Sequence, residues 1–307
     1  MQWVPMINDL ALGEVEEAHK AGLVSFKMCV HDQDRNGDID WEDVPSWSSY
    51  RSEKPEKYAL RCHIYQCSRL PSSDDNGTSD PYIKLYSPFK SDDKQKEMTQ
   101  TKTVNDNNNP IFYQTLESYF YARDIYWAPP IVLEIYDRDT GIFDSDDYIG
   151  RAVIDITEDN HTKDDTIAPP KWYPVKLGFQ ENEPEMGRIL VSISILDPGK
   201  EFAKSLDLIK LGPECEEYHI TINVLGLRDL QSPGMLPIRK PFIRFMIKSL
   251  LSPSKSEAVE NIETQPSVTG ANPTISTVIK FKVLLPNDPL YCPSLTCAVY
   301  DYIFMGV

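Results

Sequence analysis

Apolar and polar residues alternate with a period of two in several separate stretches of this chain. Tyr58, Leu60, Cys62 and Ile64 are interleaved with Ala59, Arg61 and His63, the pattern of a half-buried strand. IVLEIY at 131–136 and ILVSISI at 189–195 have the same character, with polar, proline-rich loops between the runs. The pattern predicts an antiparallel sandwich. Beyond a breaker-rich stretch the same grammar restarts, with HITINVLGL at 219–227, FIRFMI at 242–247, VIKFKVLL at 278–285 and LTCAVYD at 295–301. Residues 1–56 differ. GEVEEAHKAGLVSFKMCV at 13–30 is helix-compatible, and an acidic loop, Pro45 and Pro55 follow it, so a short helical and irregular segment is expected there.

The two strand-rich halves read as one repeated unit. RCHIYQCSRL at 61–70 corresponds to HITINVLGLRDL at 219–230, and VLEIYDRD at 132–139 to LTCAVYDY at 295–302. About sixty residues with two further strand candidates follow the first of these aspartate stretches, whereas six residues follow Asp301. The expected organisation is therefore an N-terminal segment (1–56), a first sandwich (57–197), a linker (198–216) and a second sandwich (217–307) incomplete at its C-terminal end. The fold class is all-β.

Charge narrows the function. The chain carries 47 Asp and Glu against 31 Lys and Arg, a formal charge of −16. That excludes nucleic acid as a natural partner. It also argues against adhesion to anionic membranes unless bound cations reverse the local field. The six cysteines form no CxxC pair, which speaks against zinc. Cys62 and Cys297 fall in alternating stretches and are expected as buried free thiols, a pattern of a reducing compartment. No uninterrupted apolar run of about eighteen residues and no signal-peptide core occurs, so the chain is expected to be soluble. The five histidines are scattered, with no GxSxG elbow, phosphate-cradling glycine loop or HExxH. The sequence predicts a binding protein rather than an enzyme.

The acidic residues are clustered. LPSSDDNGTSDPY at 70–82 places Asp74 before an Asn-Gly turn and Asp80 at the start of a strand. YDRDTGIFDSDDYIG at 136–150 places Asp137 and Asp139 two apart, with Asp144, Asp146 and Asp147 behind them. Any single aspartate here is explained by turn formation. Several focused on one loop end repel one another unless a cation neutralises them, and calcium takes six to eight oxygen ligands.

LPSSDDNGTSDPYIKLY, NDNNNPIFYQTL at 105–116 and VLEIYDRD with DDYIG resemble a C2 domain. The resemblance implies C2-type antiparallel sandwiches, with Ca2+ held by Asp74, Asp80, Asp137, Asp139 and Asp147 and bridging to phosphates of an anionic phospholipid membrane. About two extra residues separate Asp139 from DDYIG, which leaves Asp144 and Asp146 as rivals of Asp147 for the last place. Ile142 and Phe143 form an apolar tip between these carboxylates, either folded inward or entering the membrane on calcium binding. KYALRCHIYQCSRL, YFYARDIYWAPPIVLEIYD, VLGLRDL and LPNDPLYCPSLTCAVYD are similar to two consecutive C2 domains of the ferlin family. That resemblance covers roughly residues 57–307. It implies a cytoplasmic, membrane-associated protein of vesicle fusion or membrane repair, with a tail anchor outside this chain.

Ser79-Asp80-Pro81-Tyr82 of the first unit is matched by Arg239-Lys240-Pro241-Phe242 in the second, and Asp301 is followed by Tyr302-Ile303-Phe304. One carboxylate cannot hold calcium usefully. The second unit is expected to serve packing or protein partners. Upstream, DQDRNGDIDWED at 32–43 follows the EF-hand loop pattern, with Asp32, Asp34 and Asn36 at positions one, three and five. Asp38 offers its carbonyl at seven, and Asp43 stands at twelve in place of the usual Glu. It is either a weak ion site or an acidic turn, since it is a single loop and Pro45 cuts its exit helix.

Overall fold

The computed structural model describes residues 2–5, 23–26, 55–72, 77–86, 99–122, 125, 128–139, 145–157, 160, 162, 166–178, 183–202, 212–232, 237–248, 259–268 and 270–302. The chain divides into two compact units, Met1–Leu208 and Ile209–Val307. The strands are β1 (Gln2–Pro5), β2 (Leu23–Phe26), β3 (Glu56–Ser68), β4 (Pro81–Leu85), β5 (Ile111–Ala122), β6 (Ile131–Asp137), β7 (Asp147–Ile154), β8 (Lys171–Pro174) and β9 (Arg188–Leu196) in the first unit. The second holds β10 (Cys215–Gly226), β11 (Pro241–Lys248), β12 (Val259–Glu263), β13 (Thr274–Pro286) and β14 (Thr296–Asp301). No helix among the described residues is long and apolar enough to cross a membrane.

The expected all-β antiparallel architecture is what the chain adopts. In the first unit a four-stranded sheet, ordered β5-β3-β9-β8, faces a three-stranded sheet ordered β4-β6-β7. Inward residues of both sheets share one core. Leu60, Cys62 and Ile64 of β3 and Ile189, Val191, Ile193 and Ile195 of β9 meet Ile83 and Leu85 of β4 and Leu133 and Ile135 of β6. The β-branched residues suit this pleated, crowded surface.

Three local expectations are corrected. Leu23–Phe26 lies inside the stretch expected to be helical, yet it is a strand paired antiparallel with Gln2–Pro5. Valine and aromatic residues at both segments favour a ladder, and its partner lies too far upstream for local periodicity to reveal. The strand at 58–64 is buried on both faces rather than one, with Arg61 and His63 each only 1% exposed. Arg61 is paired with Glu117 of β5 at 2.7 Å and stacked on the Phe202 ring, while His63 Nδ1 lies 3.0 Å from Thr115 Oγ1. Finally, Cys62 is buried as expected, but Cys297 is exposed.

The second unit has a two-stranded sheet, β10-β13, and a three-stranded sheet, β12-β11-β14. Val224, Ile243, Phe245 and Ile279 form its core. Among the described residues β14 pairs with β11 alone, whereas β6 lies between β4 and β7. Cys297 stands opposite the buried Phe245 across that pair.

Candidate metal site

Register brings three of the predicted aspartates, Asp80, Asp137 and Asp147, to one end of the first unit. Pro81 pairs with Asp137 across β4 and β6, and Asp137 pairs with Asp147 across β6 and β7. Asp80 therefore enters β4 where β6 ends and β7 begins. The Asp80 N–H donates to Asp137 Oδ1 at 2.5 Å, and the Arg138 N–H donates back to the Asp80 carbonyl at 3.1 Å. Asp137 is 1% exposed. Its second oxygen, Oδ2, is buried and has no hydrogen-bond partner. A buried carboxylate oxygen without a donor is costly, and a cation is the group that would satisfy it.

Asp139 is half-buried and Asp147 exposed. Asp146 accepts a hydrogen bond from the Tyr82 hydroxyl at 2.5 Å, which gives it a structural task. Asp74, Asp144, Ile142 and Phe143 lie outside the described residues, as do Asp32, Asp34, Asn36, Asp38 and Asp43 of the EF-hand-like loop. Among the described residues, no three His, Cys, Asp or Glu are gathered closely enough to hold a metal ion. The described part of the site thus supplies a linked pair, Asp80 and Asp137, and an orphaned oxygen that fits a cation.

Sequence reasoning missed two features around this pair. The first is the asparagine-rich stretch before β5, where the Asp106 N–H donates to Asp80 Oδ1 at 2.7 Å. The NDNNNP composition marked a turn but not its target. The second is an aromatic and cationic outer face on the smaller sheet. Tyr82 stacks on Tyr136 at 5.7 Å between ring centroids, and Tyr136 meets Tyr148 edge-on at 5.4 Å. Lys84 Nζ lies 4.0 Å from the Tyr136 centroid, the Arg138 guanidinium 5.3 Å from that of Tyr82, and Arg151 5.5 Å from that of Tyr148. These are cation–π distances. Burial pushes the ionisation of all three phenols to higher pH, helped at Tyr82 by its bond to Asp146 and at Tyr136 by Glu134, and opposed at Tyr148 by Arg151.

The second unit repeats several bonds of this scaffold. Arg69 N–H to Asn109 Oδ1 becomes Asp229 N–H to Asn272 Oδ1, at 2.8 and 2.9 Å. Ile83 N–H to Thr101 Oγ1 becomes Ile243 N–H to Thr264 Oγ1, at 2.9 and 3.0 Å. Arg69 and Asp229 share a left-handed backbone, with φ of 59° and 52°. Asp301 takes the place of Asp137, but its carboxylate is occupied. It accepts the Lys240 N–H at 2.6 Å on Oδ1 and the Arg239 N–H at 3.0 Å on Oδ2. What is an orphaned oxygen in one unit is a backbone clasp in the other.

Residues 58–175 match the C2 domain family model. The chain is similar to human Myoferlin, at 25% identity over 267 residues that make up 81% of this chain and 12% of that protein. It is similar to Xenopus tropicalis Myoferlin, at 28% identity over 272 residues, 80% of this chain and 12% of that one. The chain thus spans about an eighth of the length of these relatives. Among solved structures, the calcium-bound tandem C2 domains of Extended-Synaptotagmin 2 align at 16% identity, over 75% of each chain, with a TM-score of 0.33. Residues 58–175 thus match a C2 domain, and the chain is similar to ferlin proteins along most of its length.

Proposed function

We propose that the first unit, residues 57–197, is a calcium-dependent phospholipid-binding module of a ferlin-like protein acting in membrane trafficking, fusion or repair. The observation that carries this reading is Asp137, a buried carboxylate with one oxygen tied to the Asp80 N–H and the other without a donor. Asp80 and Asp137 hold the ion, and Asp74, Asp139 and Asp147 complete its oxygen shell. Bound calcium supplies positive charge to a carboxylate-rich end and open coordination for lipid phosphate oxygens. Asp137 also fixes the start of β4, so the pair is set before an ion arrives. Ile142 and Phe143 enter the membrane interface once that charge is reversed. The aromatic and cationic outer face, with Lys84 and Arg138, gives an anionic headgroup a second contact. The second unit serves packing or protein partners, its one carboxylate being used on backbone.

A second reading, a calcium-independent C2 scaffold, is favoured by the lack of a three-ligand metal group among the described residues. Titration calorimetry of calcium into the full chain and an Asp137→Asn, Asp139→Asn variant separates the two. Uptake that the variant loses supports the calcium site; identical titrations, with or without heat, support the scaffold.

A further inference from the structure

The Asp80–Asp137 pair is held by a third loop. The Asp106 N–H donates to Asp80 Oδ1 at 2.7 Å, and Asp106 Oδ1 accepts from Thr78 Oγ1 at 3.2 Å. Asp106 sits at φ 51°, a left-handed conformation that aspartate and glycine tolerate and β-branched residues resist. Its neighbours fasten the loop to the Asp80 segment from both sides. The Asn107 N–H donates to the Ser79 carbonyl at 2.8 Å and Asn108 Nδ2 to the Gly77 carbonyl at 3.2 Å. The Leu70 N–H donates to the Asn108 carbonyl at 2.9 Å.

The second unit retains part of this scaffold. It keeps the Asn272 and Ala271 contacts that correspond to Asn109 and Asn108, with the Leu230 N–H donating to the Ala271 carbonyl at 3.1 Å. Lys240 replaces Asp80, and Thr269 occupies the sequence position of Asp106. The aspartate pair is exchanged together where the clasp Asp301 has no orphaned oxygen to offer.

We propose that Asp106 is a positioning residue of the candidate calcium site, its left-handed backbone aiming an N–H that holds the Asp80 carboxylate in place for the ion. This rests on the calcium reading above. Asp106 acts through its backbone, so glycine, which adopts the same φ freely, retains the effect, and valine does not.

The test uses the full 307-residue chain and calcium alone as the probe, with Asp137→Asn defining the heat that belongs to this site. Asp106→Val weakens calcium binding there about tenfold, the scale of a charge-assisted hydrogen bond. Asp106→Gly weakens it less than about threefold, because the N–H remains. Glycine as damaging as valine overturns the proposal, since the side chain would then be what matters; valine equal to wild type also overturns it. If wild type and Asp137→Asn take up the same calcium, the calcium reading itself falls, a result distinct from either. Should Asp106→Val fail to fold, the wild-type protein still decides by NMR. Its Asp106 amide proton is expected downfield, moving on calcium addition only when Asp137 is intact. An Asp106 amide indifferent to saturating calcium overturns the proposal.

Discussion

Asp137 has two tasks, and one substitution separates them. Asp137→Asn keeps an acceptor for the Asp80 N–H, now bonded at 2.5 Å to Oδ1, but removes the negative charge. A hydrogen bond to a charged acceptor is worth about 1 kcal/mol more than one to a neutral acceptor. Removing a buried charge beside other carboxylates returns energy of similar size. In chelator the variant should therefore melt within about 1 kcal/mol of wild type, about 2–4 °C for a unit of this size. Calcium at a hundredfold excess over its dissociation constant stabilises wild type by about 2.7 kcal/mol, a rise of about 5–10 °C. Asp137→Asn loses that rise. Asp137→Ala loses the clasp as well, leaving the Asp80 N–H without its acceptor, and falls by a further 1–3 kcal/mol or so in chelator. Thermal melts followed by near-ultraviolet circular dichroism, with and without calcium, measure all three. If Asp137→Asn falls as far as Asp137→Ala in chelator and still rises with calcium, Asp137 is a fold residue only.

Asp301→Ala frees the Arg239 and Lys240 amides, bonded at 3.0 and 2.6 Å. It should cost about 1–3 kcal/mol in the second unit and speed hydrogen exchange at both amides; unchanged exchange would contradict the clasp. Phe143→Ala removes about 1.5–3 kcal/mol of apolar burial at the membrane, so calcium-dependent vesicle binding weakens at least about tenfold. Calcium binding in solution stays as it was, and a loss of several degrees in melting with normal vesicle binding would place Phe143 in the core. Burial and the bond to Asp146 push the Tyr82 ionisation to higher pH. The stabilisation this brings is complete below the ordinary tyrosine value of about 10 and is lost as pH rises past it. Tyr82→Phe should flatten the loss of stability between about pH 9 and about pH 11 in alkaline melts; equal alkaline losses would refute the role of that bond.

Strand positions were legible because inward residues alternate strictly, as Leu60, Cys62 and Ile64 do against Arg61 and His63. Burial of the opposite face was not. Ser192 and Ser194 hydroxyls donate to the Ala168 and Thr166 carbonyls of a crossing segment, and Phe202 lies over Arg61. These covers come from distant chain and leave no mark on local periodicity. The DPY and DRD stretches pointed to the loop end that holds Asp80 and Asp137. The second unit's loss of chemistry was visible as Lys240 for Asp80. That Asp301 is spent on two backbone amides, and that Asp106 reaches Asp80 through its own amide, are backbone events. Residue types at those positions state only that a turn is present.

Calcium should couple this chain to an anionic lipid surface through Asp137. Sedimentation with phosphatidylserine-containing vesicles tests it most directly, comparing wild type and Asp137→Asn in calcium and in chelator. Wild type should pellet with calcium and stay in solution with chelator, while Asp137→Asn should stay in solution in both. Wild type that pellets equally in calcium and chelator, or in neither, would contradict it.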